Sequence, residues 1–311
     1  MAKTILITGC CGFIGSNLCR FLLKKNYKII GIDNLITGRE RNIETFRSNK
    51  NFNFIMQDIC EPIELKSSIE KIFHLASPAS PKDYLNHPIK TLKTGSLGTE
   101  NVLELGLKHS AVVLVASTSE VYGDPLQHPQ KETYFGNVNT VGPRGVYDEA
   151  KRYLEALTIA YYKKNKLDVR IARIFNTYGP NMKRDDGRAI PTFINQLIKN
   201  EDITIYGDGS QTRSFCYIND TLSGLYKLIN SNYNYPVNIG NDNECSINDL
   251  VEKLRNIINS SSKTKYLKLP ENDPKIRKPD ITLASEVLRW SPEVNLEDGL
   301  TKTISYFYNY K

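Results

Sequence analysis

The feature that most constrains this chain lies at its very start. A short apolar run, Thr4-Ile5-Leu6-Ile7-Thr8, leads directly into Gly9, Gly12 and Gly15 in G-x-x-G-x-x-G spacing, and an apolar-periodic segment over 14–25 follows. Strand, glycine turn and helix in that order have one well-understood use. Gly9 and Gly12 let backbone approach a pyrophosphate, Gly15 lets the helix pack on the strand, and the helix N-terminus supplies unpaired N–H groups. A second apolar run over 28–32 ends at Asp33, where a carboxylate can hold the diol of an adenosine ribose. Uncharged Asn34 beside it favours NAD over NADP, since a 2′-phosphate would meet the Asp33 carboxylate; Arg39 and Arg41 pull the other way. Asp58, after the third apolar run, suits either a contact to the adenine or a helix cap.

Further runs rich in Ile, Val and Leu over 52–56, 71–75, 112–117 and 168–174 alternate with helical segments over 86–109 and 145–165. Such alternation predicts an α/β fold, a doubly wound parallel Rossmann sheet covered by helices. Past residue 175 the pattern turns loop-rich. A Gly-, Pro- and charge-rich stretch over 178–191 precedes a helix, a strand around Thr204–Tyr206, an amphipathic helix over 246–259 opened by Ser246, and a closing segment over 285–307 around the single Trp290. The expected division is an NAD-binding domain over 1–175 and 214–237, with a smaller interleaved C-terminal substrate-binding lobe over 176–213 and 238–311.

Composition narrows the function. No uninterrupted apolar stretch approaches the roughly 20 residues of a membrane span, and the run after Met1 is too short for a secretory segment, so a cytoplasmic protein is expected. The formal charge of +7 comes from scattered Lys and Arg without a basic block, which argues against nucleic acid. Six cysteines (Cys10, Cys11, Cys19, Cys60, Cys216, Cys245) form no C-x-x-C pair and stand at no ligand spacing with His74, His87, His109 or His128. No metal is expected, and the thiols read as reduced and buried.

Chemistry enters with Tyr147 and Lys151. A spacing of four inside a helix puts both side chains on one face, where an ammonium and a positive nicotinamide ring would stabilise a phenolate. Ala116-Ser117-Thr118-Ser119-Glu120-Val121-Tyr122-Gly123 ends a predicted strand, the edge at which doubly wound sheets hold their ligands. Glycine motif, Ser/Thr-rich strand end and Tyr-x-x-x-Lys, in this order, resemble the extended short-chain dehydrogenase family. That resemblance implies that Thr118 or its neighbour hydrogen-bonds a substrate hydroxyl, Tyr147 takes its proton, and Lys151 tunes the tyrosine and binds the nicotinamide ribose. It also implies a cofactor set of Gly9, Gly12, Phe13, Ile14, Gly15, Asp33, Asn34, Asp58, Ile59, Leu75 and Ala76, together with Tyr147 and Lys151.

Longer stretches resemble the UDP-glucuronate decarboxylases within that family: His74–Pro81, His87–Thr91, Glu120–Pro125, His128–Gln130, Tyr147–Lys151, Arg170–Pro180, Asp186–Arg188, Gln211–Phe215 and Arg277–Asp280. The resemblance implies UDP-glucuronate as substrate, with Ser119, Glu120 and Arg277 on the side of its carboxylate. Asn176, Arg188 and Arg213 would hold the nucleotide diphosphate, Arg184 competing with Arg188, and Tyr206 and Gln211 complete the substrate-binding set. A guanidinium suits a carboxylate or phosphate because it can donate two parallel hydrogen bonds. The pattern of nucleotide-sugar 4,6-dehydratases carries an Asp before the Glu, and here that place is Ser119. Gly95-Ser96 and Asp148-Glu149-Ala150 depart slightly from the decarboxylase pattern. A 4-epimerase, a 4,6-dehydratase and a non-catalytic NAD-binding protein are the alternatives. Relatives pair through the segments 86–109 and 145–165, so a homodimer is implied.

Overall fold

The computed structural model describes residues 4–268 and 276–309. Its centre is a seven-stranded sheet built from β1 (Thr4–Thr8), β2 (Lys28–Asp33), β3 (Phe52–Met56), β4 (Lys71–His74), β5 (Val112–Thr118), β6 (Val169–Ile174) and an edge strand, Pro236–Ile239. The spatial order is edge strand, β6, β5, β4, β1, β2, β3. Every pairing is parallel, with Ile7 opposite Gly31 on β2 and Phe73 on β4. The chain winds outward from β1 in both directions, so β1 and β4 flank the topological switch point, and the crevice beyond their C-terminal ends is where such sheets bind ligands.

Parallel strands covered on both faces read as continuous apolar runs, and the two faces separate by the two-residue period. Ile5 and Ile7 point into one core with Leu18, Leu22 and Leu225, whereas Leu6 joins Val102, Val113 and Leu154 on the opposite side. Fully buried Leu114 lies in the first core, where truncation to Ala would cost about 2–5 kcal/mol. On that side the helix Phe13–Leu23 meets the helix Ile218–Ile229, Phe21 and Tyr226 making an edge-to-face pair at 5.6 Å.

The expected helix over 86–109 is instead broken into Pro81–Asn86, Pro88–Lys93, a π-helical turn Thr94–Gly98, and Thr99–His109. Pro88 disfavours helical backbone at His87, which sits at φ −128° and ψ 51°. Gly95 packs so tightly on the helix Gly145–Asn165 that an added Cβ would lie 2.8 Å from the Ala150 Cβ. The closing segment is likewise two helices, Thr282–Leu288 and Leu296–Tyr308; between them buried Trp290 donates to the Asp220 carbonyl at 3.2 Å.

The smaller lobe is made of short elements. Ile203–Tyr206 pairs with Thr264–Leu267, and Thr212–Ser214 lies between Glu244–Ser246 and Ile276–Arg277. Ser246 caps Ile247–Ile258 through a reciprocal capping box with Asp249. The Ile276–Arg277 pairing is what carries Arg277 back to the mouth of the main sheet.

Candidate active site

The glycine turn forms the floor of a groove at the switch point. Gly9 has φ +74°, and a Cβ there would sit 2.8 Å from the Ala76 nitrogen; one on Gly15 would sit 2.0 Å from the Gly9 carbonyl oxygen. Only hydrogen fits at either position. Gly12 opens the helix Phe13–Leu23 with no side chain capping its N-terminus, which leaves first-turn N–H groups for an anion.

Asp33 is buried at the end of β2, its carboxylate accepting from the Cys11 N–H and the Leu35 N–H, each at 2.9 Å. Burial pushes the Asp33 carboxyl above the usual carboxylate range, against those backbone donors. A cavity of about 60 Å³ beside it is lined by Gly9, Gly12, Asn34, Asp58, Ile59, Leu75 and Ala76 as well as Asp33. Asp58 does not begin a helix: it accepts from Asn34 at 3.0 Å and from the Cys60 N–H at 2.9 Å, and pairs with Lys90. Burial would raise the Asp58 carboxyl, but Lys90 and these donors outweigh it and bring it to about 2. Lys90 was missed by sequence reasoning, which had no signal tying it to a residue thirty-two positions earlier.

A larger cavity of about 630 Å³ continues from this groove and brings together Phe13, Ile14, Gly15, Thr118, Ser119, Glu120, Tyr147, Lys151, Asn176, Arg188, Tyr206, Gln211, Arg213 and Arg277. β5 delivers Thr118, whose hydroxyl accepts from the Glu120 N–H at 3.3 Å and starts a 3₁₀ turn over Ser119–Tyr122. The helix Gly145–Asn165 presents Tyr147 and Lys151 side by side. Lys151 Nζ donates to the Ala116 carbonyl at 2.7 Å and lies 5.8 Å from the Tyr147 ring centre. Tyr84 stacks on Tyr147 at 5.1 Å, holding the phenol plane.

Burial pushes the Tyr147 phenol well up, the Glu120 charge adds to that, and a hydrogen bond with the Thr118 side chain works against it. Burial also brings Lys151 down to about 8, with Glu155 opposing. The protein's own groups therefore hold the Tyr147 phenol in its protonated form near neutral pH.

The carboxylate corner is an ion cluster. Arg277 donates to one oxygen of Glu120, to the Ser119 hydroxyl at 3.3 Å and to the Gly123 carbonyl at 2.8 Å. Arg144 donates to the other Glu120 oxygen. Burial would raise the Glu120 carboxyl, but Arg277 and Arg144 outweigh it and hold it at about 2. Sequence reasoning did not find Arg144; its position directly before the helix that carries Tyr147 was the available signal.

At the far end, the Asn176 amide nitrogen is buried with no partner among the described residues. A buried donor without an acceptor is costly, which suits a site that a phosphate oxygen completes. Arg188 lies 2.9 Å from Asp186, Arg213 donates to the Thr212 carbonyl at 2.8 Å, and Gln211 donates to the Tyr206 carbonyl at 2.6 Å. Arg188 lines the cavity, whereas Arg184 reaches away to the Phe307 carbonyl. His74 is a buried strand residue between the Thr8 and Thr99 hydroxyls, and His128 meets Glu244.

A family model described as GDP-mannose 4,6 dehydratase matches residues 6–303. Over 305 residues the chain is 48% identical to UDP-glucuronic acid decarboxylase 1 of Xenopus tropicalis, covering 98% of this chain and 72% of that protein. The chain belongs to this family of extended short-chain dehydrogenases, among its UDP-glucuronic acid decarboxylases. It is also 46% identical to UDP-glucuronic acid decarboxylase 1 of Arabidopsis thaliana, over 98% of this chain and 70% of that one. Among solved structures, UDP-glucuronic acid 4-epimerase from Bacillus cereus in complex with UDP-glucuronic acid and NAD is 31% identical with a TM-score of 0.89, covering 99% of this chain and 100% of the other. UDP-glucose 4-epimerase from Thermotoga maritima, with UDP-glucose, gives 28% identity and a TM-score of 0.91, covering 99% of each chain. Decarboxylases and epimerases thus share one scaffold, and the site must decide between them.

Proposed function

We propose that this chain decarboxylates UDP-glucuronate to UDP-xylose through a UDP-4-keto intermediate, with NAD reduced and reoxidised in each cycle. The observation that carries the reading is a proton-transfer group and a carboxylate-binding group on one cavity wall: Thr118, Tyr147 and Lys151 beside Ser119, Glu120 and Arg277. NAD, when bound, supplies the hydride acceptor and donor. Gly9, Gly12, Phe13, Ile14 and Gly15 would hold its diphosphate, and Asp33, Asn34, Asp58, Ile59, Leu75 and Ala76 its adenosine. Tyr147 and Lys151 would meet the nicotinamide ribose.

In this reading Thr118 orients the C4 hydroxyl and Tyr147 removes its proton. The C4 carbonyl makes the C6 carboxylate part of a β-keto acid, so the electrons of the C5–C6 bond can flow into the carbonyl as carbon dioxide leaves. Arg277 orients that carboxylate, C5 takes up a proton, and Tyr147 returns its own proton to O4 when the ketone is reduced. Ser119 stands where a dehydratase needs an acid for a leaving hydroxyl, so elimination of water is disfavoured. The diphosphate of the substrate would lie against Asn176, Arg188 and Arg213, with Tyr206 and Gln211 beside the uridine. The test is incubation with UDP-glucuronate and NAD: carbon dioxide with UDP-xylose supports the reading, and UDP-galacturonate without gas would make the chain an epimerase.

A homodimer belongs to the same proposal. Leu85, Ile89, Leu92 and Leu97 on the segment 81–109 and Tyr153 on the helix Gly145–Asn165 are exposed apolar residues on two neighbouring elements, a surface that pairing would cover. Six free cysteines, four of them buried, accord with a reducing, cytoplasmic setting. Among the described residues no helix is long and apolar enough to cross a membrane. The division into a dinucleotide-binding domain over 1–175 and 214–237 and a sugar-nucleotide lobe over 176–213 and 238–311 belongs to the same proposal.

A further inference from the structure

The two oxygens of Glu120 are held by different guanidinium groups: Arg277 takes one, Arg144 the other. Both cations line the large cavity. A substrate carboxylate that pairs with Arg277 must displace Glu120 from it, and a buried carboxylate left without any partner is strongly disfavoured. Arg277 is built for such an exchange. It stays anchored by the Gly123 carbonyl at 2.8 Å and the Ser119 hydroxyl at 3.3 Å, and its Nε is a buried donor with no partner among the described residues. The Arg144 backbone is fixed too, because its carbonyl accepts the N–H groups of Tyr147 at 3.0 Å and Asp148 at 3.2 Å, opening the helix that carries the Tyr147 phenol.

We propose that Arg144 is a positioning residue of the decarboxylation: by keeping Glu120 paired, it releases the Arg277 guanidinium to the substrate's carboxylate. The inference rests on the assignment of UDP-glucuronate to this site and deepens it. Without Arg144, Glu120 would depend on Arg277 alone, and an incoming carboxylate would face both a competitor and a like charge.

The groups facing Glu120 are Arg277, Arg213, Arg144, Tyr147 and Asp148. In the native site Glu120 stays ionised throughout pH 5–8. Loss of Arg144 moves its proton affinity upward, so in Arg144→Gln the competition should relax as pH falls and Glu120 is neutralised. Asp148 titrates at about 7, pushed up by burial and by Glu120, so the comparison is repeated in an Asp148→Asn background.

The experiment measures KM and kcat for carbon dioxide release from UDP-glucuronate with NAD present, and the inhibition constant of UDP, for wild type, Arg144→Gln and Arg144→Lys from pH 5 to 8. The expected result for Arg144→Gln at pH 7.5 is a KM increase of at least about tenfold, the low end for close charge pairs. The fall in kcat is smaller, UDP inhibits unchanged, and the KM defect shrinks toward pH 5 with or without Asp148. Lysine restores most of the KM. An unchanged KM, a defect independent of pH, a pH dependence that disappears with Asp148→Asn, or an equal loss of UDP affinity in both variants would each overturn the role. Wild type that releases no carbon dioxide would instead overturn the parent assignment.

Discussion

Lys151 should destabilise the protein that it serves. Its ammonium is buried, 4% exposed, with one hydrogen bond to the Ala116 carbonyl, and burial brings it from 10.5 to about 8. A lysine depressed in the folded state is the inverse of the usual stabilised ion: folding must strip a proton or bury a charge, so stability rises as pH increases from the folded value toward the unfolded one. Linkage over this range sets the penalty at about 3 kcal/mol at pH 7, declining to about 1 kcal/mol at pH 9.5. Methionine keeps the stem volume and removes the charge, but leaves the Ala116 carbonyl unpaired at a cost of about 1 kcal/mol. Lys151→Met should therefore be inactive yet more stable than wild type by about 2 kcal/mol at pH 7, an advantage that shrinks to near zero at pH 9.5. Urea unfolding of both proteins at the two pH values measures this. Comparing the proteins at the same pH cancels the tyrosines and thiols that titrate in both. A variant less stable than wild type at pH 7, or an advantage that does not change with pH, would refute the burial argument.

Three further outcomes follow from the site. Tyr147→Phe should lower turnover of UDP-glucuronate by about 10²–10⁴-fold while UDP still binds, because the role proposed for the phenol is at O4 and not at the diphosphate; steady-state kinetics with a UDP inhibition assay checks it. Gly15→Ala should weaken NAD binding and lower the melting temperature, since its Cβ would lie 2.0 Å from the Gly9 carbonyl oxygen and backbone must shift at about 1–3 kcal/mol or more; calorimetry reads both. Glu120 is the depressed-carboxylate case, so its stabilisation is complete above pH 4.5 and is lost as pH falls through about 2. Glu120→Gln should flatten that part of the acid-unfolding profile relative to wild type, and parallel profiles for the two proteins would contradict the ion-cluster reading.

What the sequence by itself determined is local or periodic. G-x-x-G-x-x-G between an apolar run and a helix fixed the cofactor loop because only hydrogen fits at Gly9 and Gly15, and that demand is written in residue type. Apolar runs marked six of the seven sheet strands, since a parallel strand covered on both faces has no polar side. Tyr147 and Lys151 were legible because one helical turn brings them together without help. The broken helix between Pro81 and His109 was not foreseen; Pro88 and the glycines were visible, but the tight approach of Gly95 to Ala150 belongs to the packed helices. Lys90 beside Asp58 and Arg144 beside Glu120 became partners only through the fold. Arg277 illustrates the divide: its resemblance to a family pattern placed it on the carboxylate side, yet it reaches Glu120, 157 positions earlier, because Ile276–Arg277 pairs with Thr212–Ser214. Such contacts depend on which surfaces meet in three dimensions, a property of the whole packed chain that no local pattern encodes.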